Sequence, residues 1–139
     1  MATSLGNAGL NIVSFKSADD YSSDQYYPVK ITAANTVGTT SATTDAVIGI
    51  LQNKPEQNMT ADVALLHSGG IAKVVTGGTI AAAGWVTLGT DGRCVAPLTA
   101  DALRSQYIGY AVEASTTTAA SGGGDIISVV LCPTIGTTS

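Results

Sequence analysis

The sequence predicts an all-β fold: a small barrel or sandwich of about seven or eight short strands, with an extended N-terminal arm and at most one short helix. Segments rich in β-branched residues recur at roughly regular spacing, and turn residues separate them. No helical pattern of roughly 10–15 residues, which a βαβ unit needs, lies between those segments. The length of 139 residues is that of one domain.

The N-terminal segment, residues 1–27, differs from the rest because it is rich in Ser, Asn and Asp and shows no period of strand or helix. Disordered tails are usually poor in aromatic residues, yet this segment carries four of the seven in the chain: Phe15, Tyr21, Tyr26 and Tyr27. We therefore expect an attachment arm that orders only against a partner surface, joined to a β domain over residues 28–139. Removing it should leave the stability of that domain unchanged. The alternative is a terminal tail with incidental tyrosines.

The first two predicted strands lie on either side of a Thr-rich loop at residues 38–44. Pro28–Ala33 alternates, with Lys30 and Thr32 on one face and apolar residues on the other, as in a half-buried strand. Residues 47–51 are continuously apolar, which favours a strand covered on both faces.

Residues 62–67 and 71–76 are the third and fourth predicted strands, and residues 68–70 have the composition of a hairpin connection. One face of the fourth strand mixes apolar and charged side chains, as a subunit interface does: Ile71, Lys73 and Val75.

The strongest hairpin signal is Asp91-Gly92 between the apolar segments Trp85–Leu88 and residues 94–96. It predicts a type I′ turn, with positive φ at both central residues.

Residues 99–104 are the one candidate helix, with Thr99 as its N-cap. The last two predicted strands, residues 107–113 and 126–132, lie on either side of a low-complexity run at residues 115–124.

The charge pattern bears on the class of partner. The net charge is −4, and the six Lys and Arg residues are spread singly, so no basic stripe is available for nucleic acid or for an anionic membrane. No apolar run approaches the roughly 18 residues of a membrane span. The first residues lack the cationic start of a secretory signal. We expect neither a nucleic-acid nor a membrane partner, and synthesis in the cytosol.

The residues that carry chemistry are few. His67 is the single histidine, and no G-x-S-x-G nucleophile motif accompanies it. A zinc site needs about four ligands, which one His and the distant Cys94 and Cys132 do not readily supply. We expect no catalytic, cofactor-binding or metal-binding residues, and hence no enzyme. The two cysteines are interpreted as free thiols on strands, because a disulfide would require the strands to be adjacent.

Several segments together resemble the capsid cement, or head decoration, proteins of tailed bacteriophages, and the resemblance spans about residues 28–132. It lies in the order and spacing of the segments at residues 49–55, 61–63, 70–75, 78–86, 90–93, 108–111 and 124–131. The resemblance implies a non-enzymatic, often trimeric β protein of the virion. Such a protein binds the outer surface of the capsid and clamps adjacent major capsid protein subunits, without a cofactor.

The composition agrees with a protein that acts by binding other proteins, because apolar residues make up 45% of the chain but aromatic residues only 5%. A core of small side chains buries little area per residue, so we expect self-association, with a homotrimer as the first choice. One alternative is a β-rich receptor- or carbohydrate-binding module of a phage tail or bacterial surface; against it, the β region has only Trp85, Tyr107 and Tyr110 as aromatics. The other alternative, a small hydrolase, lacks a nucleophile and base pair.

Overall fold

A computed structural model describes residues 9–97, 106–115 and 124–135. These residues form ten strands and one 3-10 turn, which confirms the all-β prediction. The strands are β1 (Ile12–Ser17), β2 (Pro28–Ala33), β3 (Thr36–Thr39), β4 (Gly49–Leu51), β5 (Thr60–Leu65), β6 (Ile71–Val75), β7 (Trp85–Leu88), β8 (Cys94–Val95), β9 (Gln106–Ala111) and β10 (Ile126–Ile135). Within the described ranges, no helix is long and apolar enough to cross a membrane.

The first half of the chain forms a closed five-stranded barrel in the order β1-β3-β2-β4-β5. Its pairs are antiparallel except for a short parallel contact between β1 and β3. The barrel interior is filled by aliphatic side chains with no exposure: Val29, Val37, Leu51, Ala61 and Val63. Mostly valine and alanine fill this core, as the composition predicts.

The second half forms a five-stranded sheet in the order β6-β10-β9-β7-β8. Thr76 directly follows β6, and Cys94 lies on β8 at the opposite edge of the sheet. A parallel β-bridge between these two residues brings the edges together and curls the sheet. The inner face of the sheet packs on Val47, Ile50 and Leu66 from the barrel side. This core cluster therefore joins the sheet to the outside of the barrel, and the barrel interior forms a second, separate cluster.

The N-terminal segment does not lie outside the barrel, so the sequence-based boundary at residue 28 is wrong. β1 pairs with β5 over five residues and with β3 at Lys16 and Ser17. The physical reason is a short alternation in which Phe15 and Ser17 turn inward while Ser14 and Lys16 face outward. Four residues of alternation amid polar sequence give too weak a signal to stand out. Residues 1–8 lie outside the described residues, and attachment by the segment stays a prediction.

Two further differences concern connections. The predicted loop at residues 38–44 overlaps β3, which returns from β2 through a turn with Asn35 at φ 55°. The predicted hairpin at residues 68–70 is wrong, because β5 belongs to the barrel and β6 to the sheet. There the 3-10 turn Leu66–Ser68 ends at Gly69 with φ 72° and carries the chain from one to the other.

The β7–β8 hairpin is confirmed, and Gly92 has the expected positive φ, 82°. The turn is not type I′, since Asp91 is not among the residues with positive φ. It is a longer loop in which the Gly89 N–H donates to the Arg93 carbonyl oxygen at 2.8 Å. The candidate helix at residues 99–104 lies outside the described residues.

Candidate interaction surface

The outer face of the second sheet presents an apolar row that crosses four strands. On β6 and β10 the inward residues are fully buried, so alternation turns Ile71 and Val130 outward. Val130 pairs with Ile71 on one side and with Tyr110 on the other, and Tyr110 pairs with Trp85. We call Ile71, Val130, Tyr110 and Trp85 the outer row. Its exposed end is the aromatic one, with Trp85 41% and Tyr110 38% exposed.

Three aromatic rings meet at that end. The Trp85 indole stacks on Tyr107 with 5.2 Å between ring centroids, and the edge contact with Tyr110 has a centroid distance of 5.5 Å. Such pairs contribute about 0.5–1.5 kcal/mol beyond the area they bury. The cluster therefore holds two large, partly exposed side chains in fixed orientations, which lowers the entropy lost when they contact a partner.

Tyr26 connects this sheet to the barrel. Its N–H donates to the Leu51 carbonyl oxygen in β4 at 2.7 Å, and its own carbonyl oxygen accepts from the Val75 N–H in β6 at 3.1 Å. Tyr26 has φ 71°, which is unusual for a bulky residue. The two hydrogen bonds hold this backbone conformation, so Tyr26 is fixed between the two regions.

Two shallow clefts lie beside Tyr26, and both are lined by Tyr26 and Ile126. One, of about 270 Å³, reaches Lys73 and Glu113. The other, of about 290 Å³, reaches Tyr27, Lys54 and Val75, among others. Ile126 is 52% exposed. The mixture of aliphatic, phenolic and charged groups in shallow clefts suits contact with another protein.

Charged groups surround Tyr27 at the second cleft. Burial raises the pKa of the Tyr27 phenol, the carboxylates of Asp24 and Asp91 raise it further, and the Arg93 guanidinium lowers it. Arg93 Nη2 lies 2.6 Å from Asp91 Oδ2. Tyr27 therefore keeps its phenolic proton at neutral pH and can donate a hydrogen bond from the cleft wall.

The structure separates the seven predicted interface residues into two groups. Four of them line the clefts: Tyr26, Tyr27, Lys73 and Val75. Ile71 belongs to the outer row. Phe15 and Tyr21 instead pack against the barrel core. An aromatic count cannot distinguish a residue that completes a core from one that faces a partner.

Sequence reasoning missed the aromatic cluster and Ile126 as surface residues. Trp85 and Tyr107 lie on different predicted strands, and only the β7–β9 pairing brings them together. Alternation did carry a usable signal, because Ile126 precedes the buried Ile127 and must face the other way.

A buried hydroxyl cluster lies where β6 ends. Thr76 Oγ1 and Ser115 Oγ are 2.8 Å apart, and Ser115 Oγ donates to Asp125 Oδ2 at 3.2 Å. Thr76 and Ser115 have no exposed surface, so a substrate could not reach them. The cluster ties the end of β6 to the residue that precedes β10.

The remaining reactive side chains lie apart from one another. His67 is exposed in the 3-10 turn. Cys94 is buried, and burial raises the pKa of its thiol. Cys132 is exposed on β10, which β9 and β7 separate from β8 in the sheet, and both cysteines are free. In the described ranges no group of three or more His, Cys, Asp or Glu side chains could hold a metal ion.

The fold has a known counterpart. The chain is similar in structure to the head fiber gp8.5 N base of bacteriophage phi29, with a TM-score of 0.63 and 14% sequence identity. The similarity covers 94% of this chain and 98% of that chain. No protein-family model and no curated protein matches the sequence. At this identity the likeness shows a shared fold.

Proposed function

We propose that this chain is a non-enzymatic structural protein of a phage virion that binds the outer surface of the capsid and clamps adjacent major capsid protein subunits. The observation that carries the proposal is the fold, which corresponds over nearly its whole length to the base of a phage head fiber. The resemblance of residues 28–132 to head decoration proteins supports the same class independently.

The surface of the second sheet supports a binding role. The outer row offers a contiguous apolar strip, and the adjacent clefts add Lys73 and Glu113 as polar groups at its side. Interfaces combine an apolar centre with a polar rim in this way, and aromatic side chains dominate their energetics. The outer row is therefore the proposed capsid contact, and the chain is proposed to act as a homotrimer.

Co-sedimentation with purified heads of the phage that carries the gene tests this role. Tyr110→Ser should weaken binding to heads about tenfold or more, since a buried aromatic anchor contributes on the order of 2 kcal/mol. Ile31→Ser is the matched control, because Ile31 is also exposed, at 49%, but lies on the barrel. Failure of the unsubstituted protein to sediment with heads at about 10 μM, a weak-affinity concentration, contradicts the proposal. Light scattering measures the oligomer, and a strictly monomeric protein contradicts the homotrimer.

The aromatic cluster favours carbohydrate binding as a second candidate function. Three rings that were scattered in the sequence lie together, and amphipathic aromatic rings suit a ligand with both apolar and polar faces. Trp85 is the single tryptophan, so its fluorescence reports directly on the site. Emission that shifts with a panel of oligosaccharides supports this function, whereas emission that changes only with heads supports capsid attachment.

A further inference from the structure

The barrel is not paired along the whole of β1. On one side β1 pairs with β5 from Ile12 to Lys16. On the other side it pairs with β3 only at Lys16 and Ser17. β3 begins at Thr36, just after the β2–β3 turn. The pairing between β1 and β3 therefore starts at Lys16 and leaves the earlier residues of β1 without a partner on this side among the described residues. The first part of β1 extends past the turn.

The hydrogen-bond ladder shows which backbone groups remain at this open edge. The Leu65 N–H donates to the Asn11 carbonyl oxygen at 3.0 Å, and the Ser17 N–H donates to that of Met59 at 2.9 Å. In an antiparallel pair alternate residues bond to the partner strand, so the odd-numbered residues of β1 face β5. The backbones of Ile12 and Ser14 face away from β5.

Among the described residues, no hydrogen bond reaches the N–H or C=O groups of Ile12 and Ser14 on that side. The Lys16 N–H, next in the same series, donates to the Asn35 carbonyl oxygen at 2.8 Å. The edge therefore offers two N–H donors and two C=O acceptors at the spacing of a β-strand. It ends at the β2–β3 turn. Ile12 beside the edge is 51% exposed. An unpaired edge of this kind is a template for another strand.

We propose that the open edge of β1 receives a short extended segment of a capsid subunit, which adds a strand to the barrel. This inference rests on the proposed function. Strand addition uses backbone hydrogen bonds for affinity and side-chain contacts for specificity. A β-branched or other apolar residue of the segment would cover Ile12. An acidic residue at its end would lie near the exposed Lys16.

A second copy of this chain fits the edge poorly. Two β1 strands paired antiparallel about Val13 would place residue 10 of the copy opposite Lys16, where Asn35 already bonds. Leu10 is also packed against the core and cannot move aside without losing that contact. A free, extended segment that ends before the turn meets neither obstacle, which favours a terminal or loop segment of the partner.

The test is a pair of substitutions at Ser14. Ser14→Pro removes the N–H that faces the open edge and leaves the β5 ladder at Val13 and Phe15, and proline is tolerated on edge strands with the N–H side free. Ser14→Ala is the matched control, because both variants lose the 2.9 Å hydrogen bond from Ser14 Oγ to Asp62 Oδ1. We expect Ser14→Pro to bind heads about tenfold more weakly than Ser14→Ala, with both variants folded by circular dichroism.

Hydrogen exchange on the unsubstituted protein gives an independent readout. Amides of residues 12 and 14 should exchange fast in the free protein and at least about tenfold more slowly on heads, as newly bonded amides do. The inference is overturned if both Ser14 variants bind alike, or if these amides are already protected without heads. It is also overturned if Ser14→Pro instead dissociates a self-associated form, which would identify a second copy as the occupant. In each of these cases the protein still binds heads, whereas failure of the unsubstituted protein to bind refutes the proposed function itself.

Discussion

The barrel and the curled sheet use similar amounts of chain but place their large side chains differently. The barrel turns its aromatic residues Phe15 and Tyr21 toward its own core. The sheet fills its core with aliphatic residues and places Trp85 and Tyr110 on its outer surface. Large exposed apolar groups on one face mark an interaction surface more often than a stability device.

The difference shows that exposed aromatic side chains lie on the sheet, whereas the exposed apolar side chains of the barrel, such as Ile12 and Ile31, are aliphatic. Because Ile50 and Leu66 belong to the same core cluster as the sheet residues, the two regions should unfold together. Changes that break backbone pairing should therefore affect both regions, whereas changes on the outer row should affect binding alone.

Deletion of residues 1–27 has the largest expected effect. It removes β1, and with it five backbone pairs to β5 and the strand that closes the barrel between β3 and β5. We expect loss of the cooperative thermal transition in circular dichroism, because the exposed edges and the opened core cannot be compensated elsewhere. Deletion of residues 1–8 leaves β1 intact and serves as the control. An unchanged melting temperature after the longer deletion would restore the hypothesis of a separate arm.

Glycines that contact the neighbouring strand test whether the regions unfold together. A methyl group at Gly109 would overlap the Val130 carbonyl oxygen in the sheet, and one at Gly49 would overlap that of Ala64 in the barrel. We expect Gly109→Ala and Gly49→Ala each to destabilise the protein by about 3 kcal/mol, measured by urea unfolding.

The control for both is Gly78→Ala, because among the described residues its added methyl would meet Val95 Cγ1 alone, at 4.0 Å. Each destabilised variant should show one transition by fluorescence of Trp85 and by far-UV circular dichroism. Two separate transitions would mean that the barrel and the sheet fold independently.

The tip of the β7–β8 hairpin tests the contact between the regions. At Gly92, φ is 82° and an added methyl would lie 2.6 Å from the Thr40 carbonyl oxygen of the barrel. Gly69 has φ 72° and no atom of the described residues within 4 Å of an added methyl, so Gly69→Ala tests backbone strain. We expect Gly69→Ala to cost about 1 kcal/mol and Gly92→Ala roughly twice that. Equal losses of stability in the two variants would show that the hairpin tip can move away from the barrel at little cost.

The pH dependence of stability in acid should give the smallest of these effects. Backbone N–H groups of Ser41 and Ala42, together with Lys30, lower the pKa of Asp45 in the barrel loop. At Asp91 burial raises the pKa, but the hydrogen bonds from Arg93 outweigh it and the net shift is downward.

Because both carboxyl groups have a lower pKa in the folded protein than in the unfolded chain, their stabilisation is present above about pH 4 and is lost as the pH falls below it. Asp45→Asn and Asp91→Asn should each flatten the loss of melting temperature between about pH 5 and pH 2.5. An acid profile identical to that of the unsubstituted protein would show that the substituted carboxylate contributes nothing measurable to stability.

Local patterns predicted most of the strands well. The alternation around Lys30 gives β2 with its observed limits, and Asp91-Gly92 gives the β7–β8 hairpin. β1 was missed because it is short and pairs with strands distant in sequence, and β3 was missed because it has only four residues, with Thr at both ends. For the interaction surface, alternation predicts the outward face of β6, but the strand order that adds Val130, Tyr110 and Trp85 to it is non-local.

By itself the sequence determined the all-β class and the outward direction of Ile71 and Lys73 on β6, since both follow from the two-residue period of a strand. The expected core of small side chains is wrong for the larger core cluster, which is mostly Val, Ile and Leu. The tertiary structure decided that residues 12–17 close a barrel, that Phe15 belongs to a core, and that Trp85 meets Tyr107 and Tyr110. The physical reason is that strand pairing joins residues through backbone hydrogen bonds, in which every residue type can accept and every type except proline can donate. Pairing between distant strands therefore leaves little trace in the identity of the side chains.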